Sequence, residues 1–135
     1  TLRPERLLDA RGAAESAELL ERLRSETVTV CLSPSRGIQQ GWYEGYANFP
    51  IRQFLDVGVP LVVGADMPVL FGASLTEIYT RLVEDGGVGL DELENLALAA
   101  VHQSLLPEDE RKKMEEDFRT EYARLRDEHI TPEAL

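Results

Sequence analysis

Two short apolar segments constrain the fold of this chain more than any other feature. Residues 27–32 are rich in β-branched side chains, as expected for a strand. Residues 59–65 are almost entirely apolar, as expected for a strand covered on both faces of a parallel sheet. Helical patterns separate them, so the sequence predicts an α/β unit with parallel strands. Even with a weaker third strand pattern near Leu7 and Leu8, so few strands cannot close a sheet or cover its edges. We therefore expect residues 1–135 to form a single segment of a larger α/β body.

Capping signals mark where the helices begin and end. Ser74 and Glu77 have the spacing of a capping box, and Pro107 precedes three acidic residues that suit the positive end of a helix. Gly58 suits the left-handed position that terminates a helix. Residues 33–48, rich in glycine and aromatic residues, predict a long loop. The predicted helices cover residues 13–24, 51–57, 74–83 and 91–106, and a last helix follows Pro107.

The charge of the chain excludes several classes of partner. With a net charge of −11, the chain would repel nucleic acids and anionic membrane surfaces. Its longest apolar run, residues 57–65, is far shorter than the roughly 20 residues that a membrane span needs. Cys31 is the single cysteine, so no internal disulfide can form, and a reducing compartment, the cytoplasm, is the expected location.

The loops that follow the two strands are where functional residues of parallel α/β proteins stand. Asp66 emerges from the end of a buried strand, and an unpaired carboxylate there is costly. It therefore indicates a bound metal, a basic partner or a proton, although Asp66 could instead cap the following turn. A nucleophilic role for Cys31 is disfavoured because neither histidine lies near it in the sequence.

Several segments together resemble the adenosine deaminase family. Residues 58–72, GVPLVVGADMPVLFG, resemble its last strand, with "GVPV", "SDDP" and "FG", and residues 74–79 resemble the capped helix that follows. Residues 100–107 are similar to its "N-x-V-x-x-S-F-x-P" segment, and residues 31–35 to its "C-P-x-S-N" turn. The similarity extends over residues 6–125, which correspond to the C-terminal part of a deaminase.

The resemblance implies part of a TIM-type (β/α)₈ barrel, with residues 6–10 on its sixth strand and the two apolar strands as its seventh and eighth. In that family a Zn²⁺ ion activates a water that attacks C6 of adenine, and ammonia leaves. Asp66 matches the family's metal-binding aspartate, whereas His102 and His129 match no ligand position. The His-x-His pair of the family is absent from this sequence, so an N-terminal half-barrel segment or a second chain must supply it. The resemblance implies a nucleoside-like substrate and no activity for this chain alone.

Four residues depart from the family pattern, and one of them is Leu32, which replaces the proline after the cysteine of the turn. Met67 replaces the aspartate that contacts the purine, Asp9 aligns with the histidine that helps to activate water, and Arg36 aligns near the asparagine of the turn. Methionine neither accepts a proton nor donates a hydrogen bond. These departures leave a second hypothesis open, a catalytically degenerate subunit that acts as a structural or regulatory partner.

In that second hypothesis, aromatic side chains of the predicted loop would anchor the partner, namely Trp42, Tyr43, Tyr46 and Phe49. They could equally pack on their own barrel rim. A third hypothesis is an independent acidic α/β domain, but such a domain would have too few strands to close its sheet or cover its edges.

Overall fold

The computed structural model describes residues 4–130, which form a three-stranded sheet and seven α-helices. The strands are β1 (Arg6–Leu8), β2 (Thr29–Leu32) and β3 (Leu61–Val63). The helices are α1 (Ala17–Ser25), α2 (Pro34–Gln39), α3 (Ile51–Val57), α4 (Pro68–Phe71), α5 (Leu75–Glu84), α6 (Leu90–His102) and α7 (Glu108–His129). Short 3₁₀ helices occupy Arg11–Glu15 and Tyr46–Asn48. Among these helices, none is long and apolar enough to cross a membrane.

All three strands are parallel and lie side by side in sequence order. The weaker strand pattern near Leu7 and Leu8 is therefore a real strand, and the predicted α/β class is confirmed. In residues 4–130, β1 and β3 each pair only with β2. Both outer strands thus keep one edge without a partner strand in the described part of the chain.

The two faces of the sheet differ in burial. The row Leu7, Val30 and Leu61 faces the helices, and Val30 is completely buried there. The adjacent row contains Leu8, which is 75% exposed, beside Cys31. Val62 of residues 59–65 lies in this second row and is half-buried, so within residues 4–130 the described helices cover the second face of that strand only in part. We call this row, with Val62, the inner row.

The helix-covered face of the sheet contains the core. Phe54 and Ile51 of α3 and Ile78 and Leu82 of α5 are fully buried in the same cluster as the strand side chains. Apolar burial of this kind is the main favourable contribution to folding. The core thus fastens α3 and α5 to the sheet that carries the strand ends.

Residues 33–48 are not the long loop that their composition predicts. They contain α2 and a 3₁₀ helix, because Pro34 at the first helical position is preorganised for a helix. Gly37 lies inside α2 for a packing reason: a Cβ atom there would approach the Tyr43 ring to 2.9 Å. Tertiary packing of Tyr43 therefore explains a glycine that resembled a loop residue.

The predicted caps are mostly correct. The Ser16 hydroxyl accepts a hydrogen bond from the Leu19 N–H at the start of α1. The predicted start of α6 at Asp91 is slightly late, because the Glu92 carboxylate accepts from the Gly89 N–H, 2.9 Å away. The predicted end of that helix, residue 106, is too late by four residues, since α6 stops at His102.

The capping box of α5 predicts a pH dependence of stability. The Ser74 N–H and hydroxyl donate to Glu77 at 2.7 and 2.8 Å, and these bonds lower the pKa of the Glu77 carboxyl. A carboxyl whose pKa is lower in the folded state than in the unfolded state stabilises the fold when it is ionised. This contribution is complete above the unfolded-state pKa of about 4.3 and is lost as the pH falls through the folded-state pKa. In urea unfolding, the stability gap between wild type and Glu77→Gln should be largest above about pH 5 and shrink below about pH 4.

The control for this experiment is Glu84→Gln, at the opposite end of the same helix. Its stability gap to wild type should vary less with pH, because Glu84 makes no capping hydrogen bond. A Glu77→Gln gap that is constant between pH 3 and 7 would contradict the capping argument.

Candidate functional site

The carboxyl ends of the three strands bring Asp9 and Asp66 to one edge of the sheet. Asp9 follows β1 directly, and its N–H donates to the Cys31 carbonyl at 3.0 Å, which continues the ladder. Gly64 does the same after β3 by donating to the Leu32 carbonyl at 3.0 Å. Because parallel strands end on the same side, both carboxylates lie beside the start of α2.

Arg36, in the first turns of α2, bridges the two carboxylates. Its Nη1 donates to Oδ2 of Asp66 at 3.3 Å and lies 3.0 Å from Oδ2 of Asp9. The three side chains are between 20% and 33% exposed, so water reaches the cluster. The sequence left a metal, a basic partner or a proton open for Asp66, and the structure shows a basic partner. We call these three residues the strand-end cluster.

Both aspartates of the cluster have the left-handed backbone conformation. The φ angle is 49° at Asp9 and 55° at Asp66. Such angles are uncommon outside glycine, although Asp and Asn tolerate them better than most residues. Unusual backbone angles concentrate at functional sites, where the surrounding structure enforces them. Here they turn the chain sharply where it leaves β1 and β3.

An aromatic group flanks the cluster. The guanidinium of Arg11 lies 4.7 Å from the Trp42 ring centroid, and that of Arg36 lies 5.8 Å from it, both within cation–π range. Tyr43 and Phe49 pack edge to face with centroids 5.1 Å apart. Phe49 is buried in the core, so for this residue the structure favours the alternative in which the aromatic side chains pack on their own barrel.

The other candidate residues lie outside the cluster. Cys31 is half-buried on the inner row, and burial raises the pKa of its thiol, which opposes nucleophilic behaviour. His102 faces Glu115 of α7 at 3.4 Å, and His129 lies 3.7 Å from Glu128 at the end of that helix. Residues 4–130 contain no group of three or more His, Cys, Asp or Glu side chains that could hold a metal ion by itself.

Sequence reasoning placed Asp66 correctly at a strand end but missed its pairing with Arg36. A signal was present, because Asp9 and Arg36 both depart from the deaminase pattern and carry opposite charges. Two complementary charges that appear together near strand ends favour an ion pair. Thirty positions separate Arg36 from Asp66, so the sequence contains no local pattern that joins them.

Comparisons with known proteins agree on one family. The family model for adenosine deaminase matches residues 1–121. A putative adenosine/adenine deaminase of Streptomyces coelicolor is 37% identical over 102 residues, which are 76% of this chain and 30% of that protein. An adenine deaminase of Gibberella zeae is 27% identical, with 84% of this chain and 32% of that protein covered.

The fold comparison agrees. The crystal structure of an adenine deaminase from Arthrobacter aurescens superposes with a TM-score of 0.80 at 22% identity, over 89% of this chain and 36% of that one. The N6-methyl-AMP deaminase of Arabidopsis thaliana superposes with a TM-score of 0.68 at 19% identity, over 78% and 31%. The chain thus spans about a third of the length of these proteins, and its fold matches part of a TIM barrel. On the family model and the 37% identical relative, this chain belongs to the adenosine deaminase family.

Proposed function

We propose that this chain is the C-terminal segment of a deaminase barrel and that the natural protein carrying it hydrolytically deaminates an aminopurine or a related nucleoside. The observation that carries the proposal is Asp66, turned out of the third parallel strand at the sheet edge where barrel enzymes place their chemistry. The proposal treats residues 1–135 as one domain segment in a cytoplasmic protein. With a net charge of −11, neither nucleic acid nor a membrane is a partner.

Members of this family are metal-dependent hydrolases, and this proposal assigns Asp66 as one ligand of the metal. Arg36 ion-pairs with this carboxylate at 3.3 Å, and the described residues do not form a metal site by themselves. A bound Zn²⁺ would supply Lewis-acid activation of water, and the remaining ligands would come from outside residues 4–130. In this proposal Asp66 contributes an anionic oxygen, and Arg36 holds that carboxylate in place.

Three features of the described residues support completion by an N-terminal half-barrel segment or a second chain. The outer edges of β1 and β3 have no strand partner in residues 4–130, and Leu8 on the inner row is largely exposed. The buried hydroxyl of Ser35, beside the strand ends, has no hydrogen-bond partner among the described residues. Buried polar groups are nearly always hydrogen-bonded, so the unpaired strand edges and the Ser35 hydroxyl favour the presence of further strands beside this sheet.

The strand-end cluster also favours a second candidate function. In a catalytically degenerate subunit, Asp9 and Arg36 would hold Asp66 in an ion pair, and Met67, 52% exposed beside it, would offer substrate no polar contact. This subunit would support or regulate another chain rather than perform chemistry.

Release of the exocyclic amine by the natural protein distinguishes the two functions. Adenine, adenosine and N6-methyl-AMP are the substrates to test, because the related proteins are named for them; the first two would release ammonia and the third methylamine. We expect zinc-dependent amine release from at least one of them, and none from residues 1–135 alone, because the barrel is then incomplete. A zinc-loaded natural protein that releases neither ammonia nor methylamine from the three would favour the degenerate subunit.

A further inference from the structure

An apolar groove of about 230 Å³ lies beside β1, between that strand and α1. Leu7 of β1 lines it on the helix-covered face of the sheet. Leu19 of α1 is 45% exposed there, although Leu20 and Leu23 of the same helix are buried. We call this feature the β1 groove; its apolar lining consists of Pro4, Leu7, Ala13, Leu19, Leu23 and Val28.

One side of α1 faces the β1 groove. Leu19, Arg22 and Leu23 have the spacing i, i+3, i+4, and Glu26 follows at i+7, so they share a face of the helix. Arg22 and Glu26 pair with each other at 2.8 Å, so neither charge needs a partner from elsewhere. An apolar stripe beside such a pair is complementary to the apolar face of another helix.

The order of the elements indicates where that other helix would belong. The three parallel strands follow sequence order, with α1 between β1 and β2 and α3 between β2 and β3. α3 packs beside α1, and both helices contribute to the same core. Parallel strands are connected by right-handed crossovers, so a further strand next to β1 would place its connecting helix on the same face. That position, on the free side of α1, is the β1 groove.

The backbone of β1 is suited to such a strand. The Glu5 carbonyl accepts from the Thr29 N–H at 3.1 Å, and the Asp9 N–H donates to the Cys31 carbonyl at 3.0 Å. Backbone groups alternate between the two sides of a strand, so the N–H groups of residues 6 and 8 point to the free edge. A free strand edge directly beside an apolar groove favours one added strand together with its helix.

We propose that the β1 groove binds an amphipathic helix of the N-terminal half-barrel segment, the helix whose strand pairs with the free edge of β1. This inference rests on the proposed function, in which further strands complete the barrel. The chain spans about a third of the deaminase structures that it superposes on, so a complete barrel has further elements for both positions. The helix packs its apolar stripe on Leu7, Leu19 and Leu23 and keeps its polar face toward solvent.

The test is the reactivity of an engineered thiol in the natural protein. Leu19→Cys places the thiol in the groove, and Leu75→Cys on α5 is the matched control because Leu75 is 42% exposed against 45% for Leu19. Maleimide labelling is measured by mass spectrometry of the peptide that contains the new cysteine, and each rate is divided by the rate in urea. Leu19→Cys should be protected at least ~30-fold and Leu75→Cys less than ~5-fold.

Hydrogen exchange of the unmodified natural protein is the second measurement and serves if Leu19→Cys does not fold. The amides of Arg6 and Leu8 should exchange at least ~100-fold more slowly than in an unfolded peptide. The inference is overturned if Leu19→Cys reacts like the control or if these amides are unprotected. Protection that disappears on dilution would assign the groove to a second copy of the chain and would also overturn it. Protection without amine release would overturn the proposed activity and leave this inference standing, whereas amine release from a protein with an open groove would do the reverse.

Discussion

Asparagine in place of Asp66 should lower the deaminase rate of the natural protein by more than ~100-fold, since even residues that only support a metal ligand cost about 10- to 100-fold when replaced. Asparagine keeps the size of the side chain and tolerates the φ of 55° at this position. Arg36 retains Asp9 as its ion-pair partner. The loss should therefore come from the missing carboxylate charge, with a change in Tm of less than about 3 °C. Ammonia release and a thermal melt measure the two effects.

Asp56→Asn is the matched control for Asp66→Asn. Asp56 forms an exposed ion pair with Arg52 on α3, 2.5 Å apart, away from the strand ends. The same chemical change there should leave the deaminase rate within ~2-fold of wild type. An Asp66→Asn protein that keeps a third or more of the wild-type rate would show that Asp66 is not a metal ligand.

Phe54→Ala should destabilise the natural protein by about 3–5 kcal/mol, the usual cost of removing a buried phenylalanine side chain. Phe54 is fully buried between α3 and the sheet. Single domains have a total stability of only about 5–15 kcal/mol, so the change removes a large part of it. Urea unfolding monitored by circular dichroism measures the loss as a lower midpoint.

Leu105→Ala is the control for Phe54→Ala. Leu105 is 97% exposed, so its truncation should change the free energy of unfolding by no more than about 0.5 kcal/mol. If Phe54→Ala cost less than about 1 kcal/mol, the cluster around α3 would not be the core that holds the strands.

Much of the fold followed from local patterns. The strands at residues 29–32 and 61–63 lie inside the predicted segments, although each is shorter than expected. The capping box at Ser74 and the left-handed Gly58 were predicted from the sequence and are both present. Local signals work at these positions because a cap or a terminating glycine needs only a few neighbouring residues.

The errors concern features that depend on distant contacts. The segment 33–48 was expected to be a loop, but Tyr43 packs over Gly37 and a short helix forms. Residues 59–65 were expected to be covered on both faces, yet Val62 is only half-buried in the part of the chain that the structure describes. Glycine content and hydropathy could indicate neither result, because both depend on which surfaces meet.

The sequence by itself determined the α/β class, the parallel direction of the strands, the position of Asp66 at a strand end and the acidic charge of the chain. Periodicity, caps and composition are local properties, so a single sequence contains them. Only the tertiary structure showed that Arg36 lies between Asp9 and Asp66. Their meeting depends on the register that aligns Leu8 with Cys31 and Leu32 with Val63, and register is decided by packing between elements that are far apart along the chain.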